Sequence, residues 1–144
     1  MAVGAGGLKL VRAATSKFLP TFAADFFSRT AHHARMLIFT KVADLQHWLD
    51  TQRHAGKTIG FAPTMGALHT GHLSLVLAAK AECDRAVVSI FVNPTQFNDL
   101  KDLDKYPRMP EQDTQLLHEA GCDALFMPPV KEIYPPGKDL TVVL

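Results

Sequence analysis

Cysteine is scarce in this 144-residue sequence, with two residues. Cys83 and Cys122 stand far apart, and neither belongs to a Cys-x-x-Cys pair, which argues against a disulfide framework or a thiolate zinc site. They read as small buried residues, a usage that suits a reducing cytoplasm. Charge of one sign is also lacking: 15 Lys and Arg against 14 Asp and Glu give a formal charge of +1. No whole-chain field would gather nucleic acid or an anionic membrane. Long apolar runs are missing too, since every candidate core segment is broken by a charge, Gly or Pro within about ten positions, against the roughly 20 residues that cross a bilayer. The partner implied is a small molecule. What the chain does have is 47% hydrophobic residues, enough to bury one real core and little more. There is no internal repeat and no low-complexity tract.

Residues 1–35 differ from the rest. Lys9, Arg12, Lys17, Arg29 and Arg35 face the single acid Asp25, with Phe18, Phe22, Phe26 and Phe27 scattered between. Such acid-poor basic segments can be transit peptides. The alternative, favoured here, is that Met36 is the true start, because Met36-Leu37-Ile38-Phe39 opens an apolar strand-like run. On either reading residues 1–35 form an extension with little order, and the folded domain is 36–144.

From Lys41, Val42, Leu45, Trp48 and Leu49 fall at helical spacing, with Thr40 as N-cap and Gly56 just past the end. Thr58 to Ala62 reads as a buried strand, Pro63 to Thr70 as a tight turn, and Leu73, Val76 and Leu77 as the inner face of the next helix. Arg85 to Val92 is almost continuously apolar, as a central strand covered on both faces should be. Pro110 opens a further helix at N1, Leu116 and Leu117 face inward, and Gly121 closes it before a strand over Ala124–Met127. The order β-α-β-α-β-α-β predicts an α/β fold, a Rossmann-like parallel sheet with flanking helices and right-handed crossovers. Ligands of such sheets sit at the carboxyl ends of the strands.

Two turns at those ends carry the chemistry. The first contains His69-Thr70-Gly71-His72 where a strand passes into a helix. Two histidines three apart at a helix N-terminus place imidazole donors beside unpaired backbone N–H groups and the positive end of the helix dipole, which suits a triphosphate. In an adenylation reaction, fixed donors there would act on the charge that gathers on the α-phosphate and on departing pyrophosphate. Gly71 permits close approach of backbone to phosphate, and Gly66 permits the tight turn before it. A zinc site would need a third ligand at suitable spacing, and the sequence offers none, so no metal site is expected. The bland alternative is that the histidines only cap a helix. The second turn, Asn93-Pro94-Thr95-Gln96-Phe97, follows the central strand; Met65, Phe91 and Phe97 with Gln96 would give an apolar wall and a placed amide, and the plain reading of Asn93 and Gln96 is turn structure.

Gly60 to Val76, with its Pro63-Thr64-Met65-Gly66 and His69-Thr70-Gly71-His72, resembles the signature of the pantothenate synthetase (pantoate–β-alanine ligase) family. So do Val88 to Asn98, with Asn93-Pro94-Thr95-Gln96-Phe97, and Asp104-Lys105-Tyr106-Pro107-Arg108. Three blocks in the family's order separate it from other His-x-Gly-His nucleotidyltransferase-like proteins. The resemblance runs from about Met36 to the C-terminus. It implies a two-step reaction: pantoate attacks the α-phosphate of Mg-ATP to give pantoyl adenylate and pyrophosphate, then the amine of β-alanine attacks the acyl carbon and releases AMP. By position, Met65 and Gln96 contact pantoate, with Asn93 and Tyr106 at the pocket edge. His69 and His72 contact ATP phosphates and are the catalytic pair, and Pro63, Thr64, Met65, Gly66 and Gly71 shape the nucleotide channel. The partners implied are pantoate, β-alanine, ATP and Mg2+, in a cytoplasmic homodimer.

No side chain is an obvious general base, and none is needed by a carboxylate nucleophile that is already ionised. The resemblance also implies what the sequence does not contain. The family continues into a lid domain with a catalytic lysine and a serine-rich phosphate loop, so the domain is expected to be incomplete and C-terminally truncated. Leu140–Leu144 reads as a strand cut off at its start, and the isolated chain is expected to bind without turning over. Two other readings stay open: a different His-x-Gly-His adenylyltransferase, or a non-catalytic pantoate-binding or dimerisation module.

Overall fold

Apolar residues concentrate in two six-residue runs, and these become inner strands of a parallel sheet. The computed structural model describes residues 8–10 and 35–137. In chain order the elements are β1 (Leu8–Leu10), β2 (Leu37–Phe39), α1 (Val42–His54), β3 (Ile59–Thr64), α2 (Thr70–Glu82), β4 (Arg85–Ile90), a 3-10 turn (Pro94–Gln96), α3 (Leu100–Lys105), α4 (Pro110–Glu119), β5 (Ala124–Phe126) and α5 (Val130–Ile133). The strands lie in the order β1-β3-β4-β5-β2 and every pairing is parallel. β4 is central, as its almost continuously apolar sequence predicts. Of the segment 1–35, Leu8–Leu10 pair with Ile59–Phe61 at the sheet edge. The remaining expectation of little order there lies outside the described residues, as does the strand expected over Leu140–Leu144.

Alternate residues of a strand point to opposite faces, and the core divides accordingly. Ala86 and Val88 of β4 join Ala62, Val76, Ala79, Leu117 and Leu125 in a cluster under α2 and α4. Val87 joins Leu45, Ile59, Ala124 and Phe126 on the other face, with Phe39, Trp48 and Ile133 packed against them from β2, α1 and α5. α2 lies close to the sheet because Gly60 has no side chain: a Cβ there would sit 2.7 Å from Ala79 Cβ. The buried face of α2 is therefore Val76 and Ala79, flanked by Leu73 and Leu75, and Leu77 belongs to neither cluster.

Several boundaries differ from the sequence expectation. The N-cap of α1 is Lys41, not Thr40, and it makes no side-chain bond. The first helical N–H, of Val42, instead donates to Glu132 Oε1 at 2.9 Å, 90 positions away. Pro63 and Thr64 extend β3 and are not in the turn; Pro63 lies past Phe61, the last residue paired to β1, so its missing N–H breaks no ladder there. β4 stops at Ile90, after which Phe91 N–H still donates to Thr64 O at 3.1 Å. β5 stops at Phe126, although Met127 N–H donates to Phe39 O at 2.8 Å. Pro110 at N1 of α4 and Gly121, at φ 81° beyond its end, stand where expected.

Candidate functional site

The carboxyl ends of β3, β4 and β5 open onto one cavity of about 250 Å³. Met65 and Gly66 reach it from β3, Ile90 to Val92 from β4, and Pro128 to Val130 from β5, with Arg108 and Asp113 closing the side. Of the residues expected at a site, Met65, Gly66 and Phe91 line this cavity. His69, His72, Asn93, Gln96 and Tyr106 lie outside its lining.

After β3 the chain turns sharply. Gly66 has φ 83° and Ala67 φ 50°, the left-handed region that residues bearing a Cβ rarely occupy. Asp113 of α4, only 2% exposed, holds this turn from beneath. Its Oδ2 accepts from Ala67 N–H and its Oδ1 from Leu68 N–H, both at 2.8 Å. Thr64 Oγ1 donates to Ser89 O at 2.8 Å and accepts from Gly66 N–H at 3.3 Å, joining the turn to β4.

The turn delivers His69 to the N-cap of α2. His69 Nδ1 accepts from Gly71 N–H at 3.0 Å, and His69 N–H donates to His72 Nδ1 at 3.2 Å, a reciprocal capping box built from two imidazoles. Their ring centroids are 4.1 Å apart. Gly71 is needed at N2 because a Cβ there would meet His69 Cε1 at 2.8 Å. The histidines therefore do cap the helix, yet this leaves a ligand role open. With both Nδ1 atoms accepting, each neutral ring carries its proton on Nε2, so the pair keeps two N–H donors for a ligand. Burial, then the neighbouring His69, pushes the His72 pKa below its usual value, while Asp113 pulls the other way. A neutral His72 donor beside the helix dipole is thus the favoured state near pH 7.

After β4, Asn93 caps the 3-10 turn. Its Oδ1 accepts from Thr95 N–H (3.1 Å), Thr95 Oγ1 (2.8 Å) and Tyr134 OH (2.8 Å). Three donors on one oxygen fix which way the carboxamide points and leave its NH2 out of these bonds. Gln96 is exposed in the same turn. The Tyr106 ring meets Phe97 edge-on at 5.7 Å, so Tyr106 stands at the margin of this region. Pro63, Thr64 and Gly71 flank the turn that carries His69 and His72 and do not line the cavity.

Asp113 and Tyr134 escaped sequence reasoning. Asp113 had left a signal, since it sits four residues before Leu117, on the face expected to point inward, where a carboxylate needs buried donors. Tyr134 left none, because its partner is 41 positions away. Among the described residues, no group of three His, Cys, Asp or Glu side chains could hold a metal ion.

A parallel sheet flanked by helices, with a His-x-Gly-His pair at the strand-to-helix turn, defines a Rossmann-like α/β protein of the nucleotidyltransferase-like class. The sequence model of the pantoate-beta-alanine ligase family matches residues 37–144. Pantothenate synthetase of Porphyromonas gingivalis is 59% identical over 100 residues, which are 69% of this chain and 36% of that protein. The Rhodopirellula baltica pantothenate synthetase is 54% identical over 102 residues, 71% of this chain and 36% of its own. Among solved structures, the pantoate-beta-alanine ligase of Francisella tularensis, complexed with beta-gamma ATP and beta-alanine, matches with TM-score 0.68 and 46% identity, covering 74% of this chain and 40% of that one. Pantothenate synthetase of Thermus thermophilus matches with TM-score 0.61 and 46% identity over 71% of this chain and 35% of its own. The chain belongs to the pantoate–β-alanine ligase family. It spans about 36% of the length of the curated relatives it matches.

Proposed function

We propose that this chain supplies the pantoate-binding and phosphate-binding part of an ATP-dependent pantoate–β-alanine ligase. The observation that carries the reading is the imidazole capping box, which spends both Nδ1 atoms on the backbone and leaves two Nε2–H donors at the start of α2. In the proposed reaction the carboxylate of pantoate attacks the α-phosphate of ATP, and the bond to pyrophosphate breaks. The amine of β-alanine then attacks the acyl carbon of the adenylate, and AMP leaves. His69 and His72 donate to phosphate oxygens whose charge grows as pyrophosphate departs, and such donors act most strongly where charge develops. The cavity beside them lies below the roughly 300–1,000 Å³ of larger ligand pockets. It suits a small branched acid against Met65 and Phe91, with Gln96, Asn93 and Tyr106 contributing from outside its lining. Pro63, Thr64, Gly66 and Gly71 shape the approach of the nucleotide.

Mg2+ enters this reading as the ion carried by ATP. The described residues offer no cluster to hold it, and both oxygens of Asp113 are taken by backbone amides. Cytoplasmic location and a homodimer belong to the same reading, supported by two free buried cysteines and by apolar Leu37 and Ile38 exposed on edge strand β2. For the 144 residues by themselves the reading is binding without efficient turnover, because His69 and Gly71 are exposed and water screens any charge held there.

Calorimetric titration of the chain with pantoate and with ATP, separately, tests the assignment. His69→Ala or His72→Ala is expected to weaken ATP and spare pantoate, and Gln96→Ala to do the reverse. Equal ATP affinity in wild type and both histidine variants would remove the phosphate assignment.

A further inference from the structure

Asp113 is nearly inaccessible, and both of its oxygens are committed to protein donors. With so little of it exposed and each oxygen already accepting a backbone N–H, Asp113 acts first on the protein's own backbone, and its place beside the cavity is explained by what it holds. The two amides it grips are consecutive. A carboxylate that takes two neighbouring N–H groups on separate oxygens fixes the orientation of a peptide as well as its position. The backbone held in this way is one that needs holding. Ala67 has φ 50°, where its Cβ crowds the following carbonyl. Gly66 permits the approach independently: a Cβ there would lie 3.2 Å from Asp113 Oδ2 and 3.1 Å from Ile90 Cγ2. The next residue after Leu68 is His69, so any shift of the 66–68 backbone is passed straight to the N-cap imidazole.

We propose that Asp113 is the positioning residue of the phosphate turn, holding Gly66–Leu68 from α4 so that the His69 and His72 rings face a bound phosphate. The inference rests on the phosphate role proposed above for those rings. It also gives α4 a function: the helix that begins at Pro110, just after Tyr106 and Arg108, anchors a turn made by β3. Through the same carboxylate, a negative charge acts on His72 against the effects of burial and of His69.

Asp113→Asn tests this with little change of shape. The amide can accept from one of the two N–H groups, and its NH2 confronts the other. Three changes are expected in the variant: faster hydrogen exchange at the Ala67 and Leu68 amides, a lower NMR titration midpoint for His72, and an ATP Kd raised roughly 10-fold, the loss of about 1.4 kcal/mol. Val87→Ala, which removes core volume on the opposite face of the sheet, should lower stability and produce none of the three. An Asp113→Asn protein with unchanged exchange at both amides and an unmoved His72 midpoint overturns the inference. If that variant does not fold, wild-type exchange decides: Ala67 and Leu68 amides as unprotected as exposed loop amides overturn it, and protected ones support it. Wild-type protein that binds no ATP would defeat the phosphate reading and the ligand-facing half of this inference, while the exchange and titration results would still decide whether Asp113 holds the turn.

Discussion

Replacing Gly71 with Ala should separate ligand binding from stability. The added Cβ would sit 2.8 Å from His69 Cε1 and 3.0 Å from Nδ1. Contacts that short force one partner to move, and the exposed imidazole is the one able to. Its displacement loses the Gly71 N–H to Nδ1 bond, a cap worth about 0.5–2 kcal/mol. Against this, Ala is favoured over Gly within a helix by up to about 1 kcal/mol. The two effects nearly offset, so the midpoint of thermal unfolding should move by no more than about 4–8 °C, the shift for roughly 1 kcal/mol in a small domain. Phosphate binding has no such compensation. Losing a donor to a charged group costs about 1.5–3 kcal/mol, which corresponds to an ATP affinity roughly 10- to 150-fold lower. The assay is calorimetric titration with ATP, and with pantoate as internal control, on the preparation used for the melts. An ATP affinity within about threefold of wild type, about 0.7 kcal/mol, would refute the claim that the His69 ring binds phosphate from this position.

Three further outcomes are expected. His72 should titrate below 6.5, because burial and His69 favour its neutral form; the folded state then holds fewer protons than the unfolded, so its stabilising contribution is complete above 6.5 and is lost as the pH falls below that value. An NMR midpoint at or above 6.5 would contradict this. Gly60→Ala should destabilise by about 1–3 kcal/mol through overpacking against Ala79, and an unshifted denaturant midpoint would show that α2 can move away at no cost. Burial pushes the Cys122 thiol up to about 12, so in native protein at pH 8 it should resist a disulfide reagent that labels it promptly after unfolding, and fast native labelling would refute its burial.

What the sequence made legible was whatever depends on near neighbours. The apolar run of β4, Pro110 at N1 of α4, Gly121 beyond its end and the His-x-Gly-His turn between β3 and α2 each follow from a few adjacent residues. Contacts across the fold were not legible. Thr40 is a good cap by type, but Glu132, 90 positions later in the chain, takes the Val42 N–H, and no local pattern encodes that. Pro63 looked like a turn residue because a proline seldom sits in an inner strand; it is tolerated since β1 pairs only as far as Phe61. The same limit hid Tyr134 behind Asn93. The strand at Leu8–Leu10 lay within a basic segment whose composition argued against order. The histidines read from sequence as either a cap or a ligand pair; the cap takes only the Nδ1 atom of each ring, which leaves Nε2 for the ligand role proposed above.

The bond from Val42 N–H to Glu132 has a consequence for how the chain is made. Among the described residues β2 pairs only with β5, and the first N–H of α1 finds its acceptor on α5, 90 positions later, so an early part of the domain waits for a much later one. Until then the backbone N–H and C=O groups of β2 are unpaired and open to other chains. Contacts of such long sequence separation slow folding and lengthen exposure to aggregation. Synthesis therefore passes through a stage in which α1, β3, α2 and β4 can dock together while β2 has no partner strand, a natural substrate for a chaperone that binds nascent apolar segments.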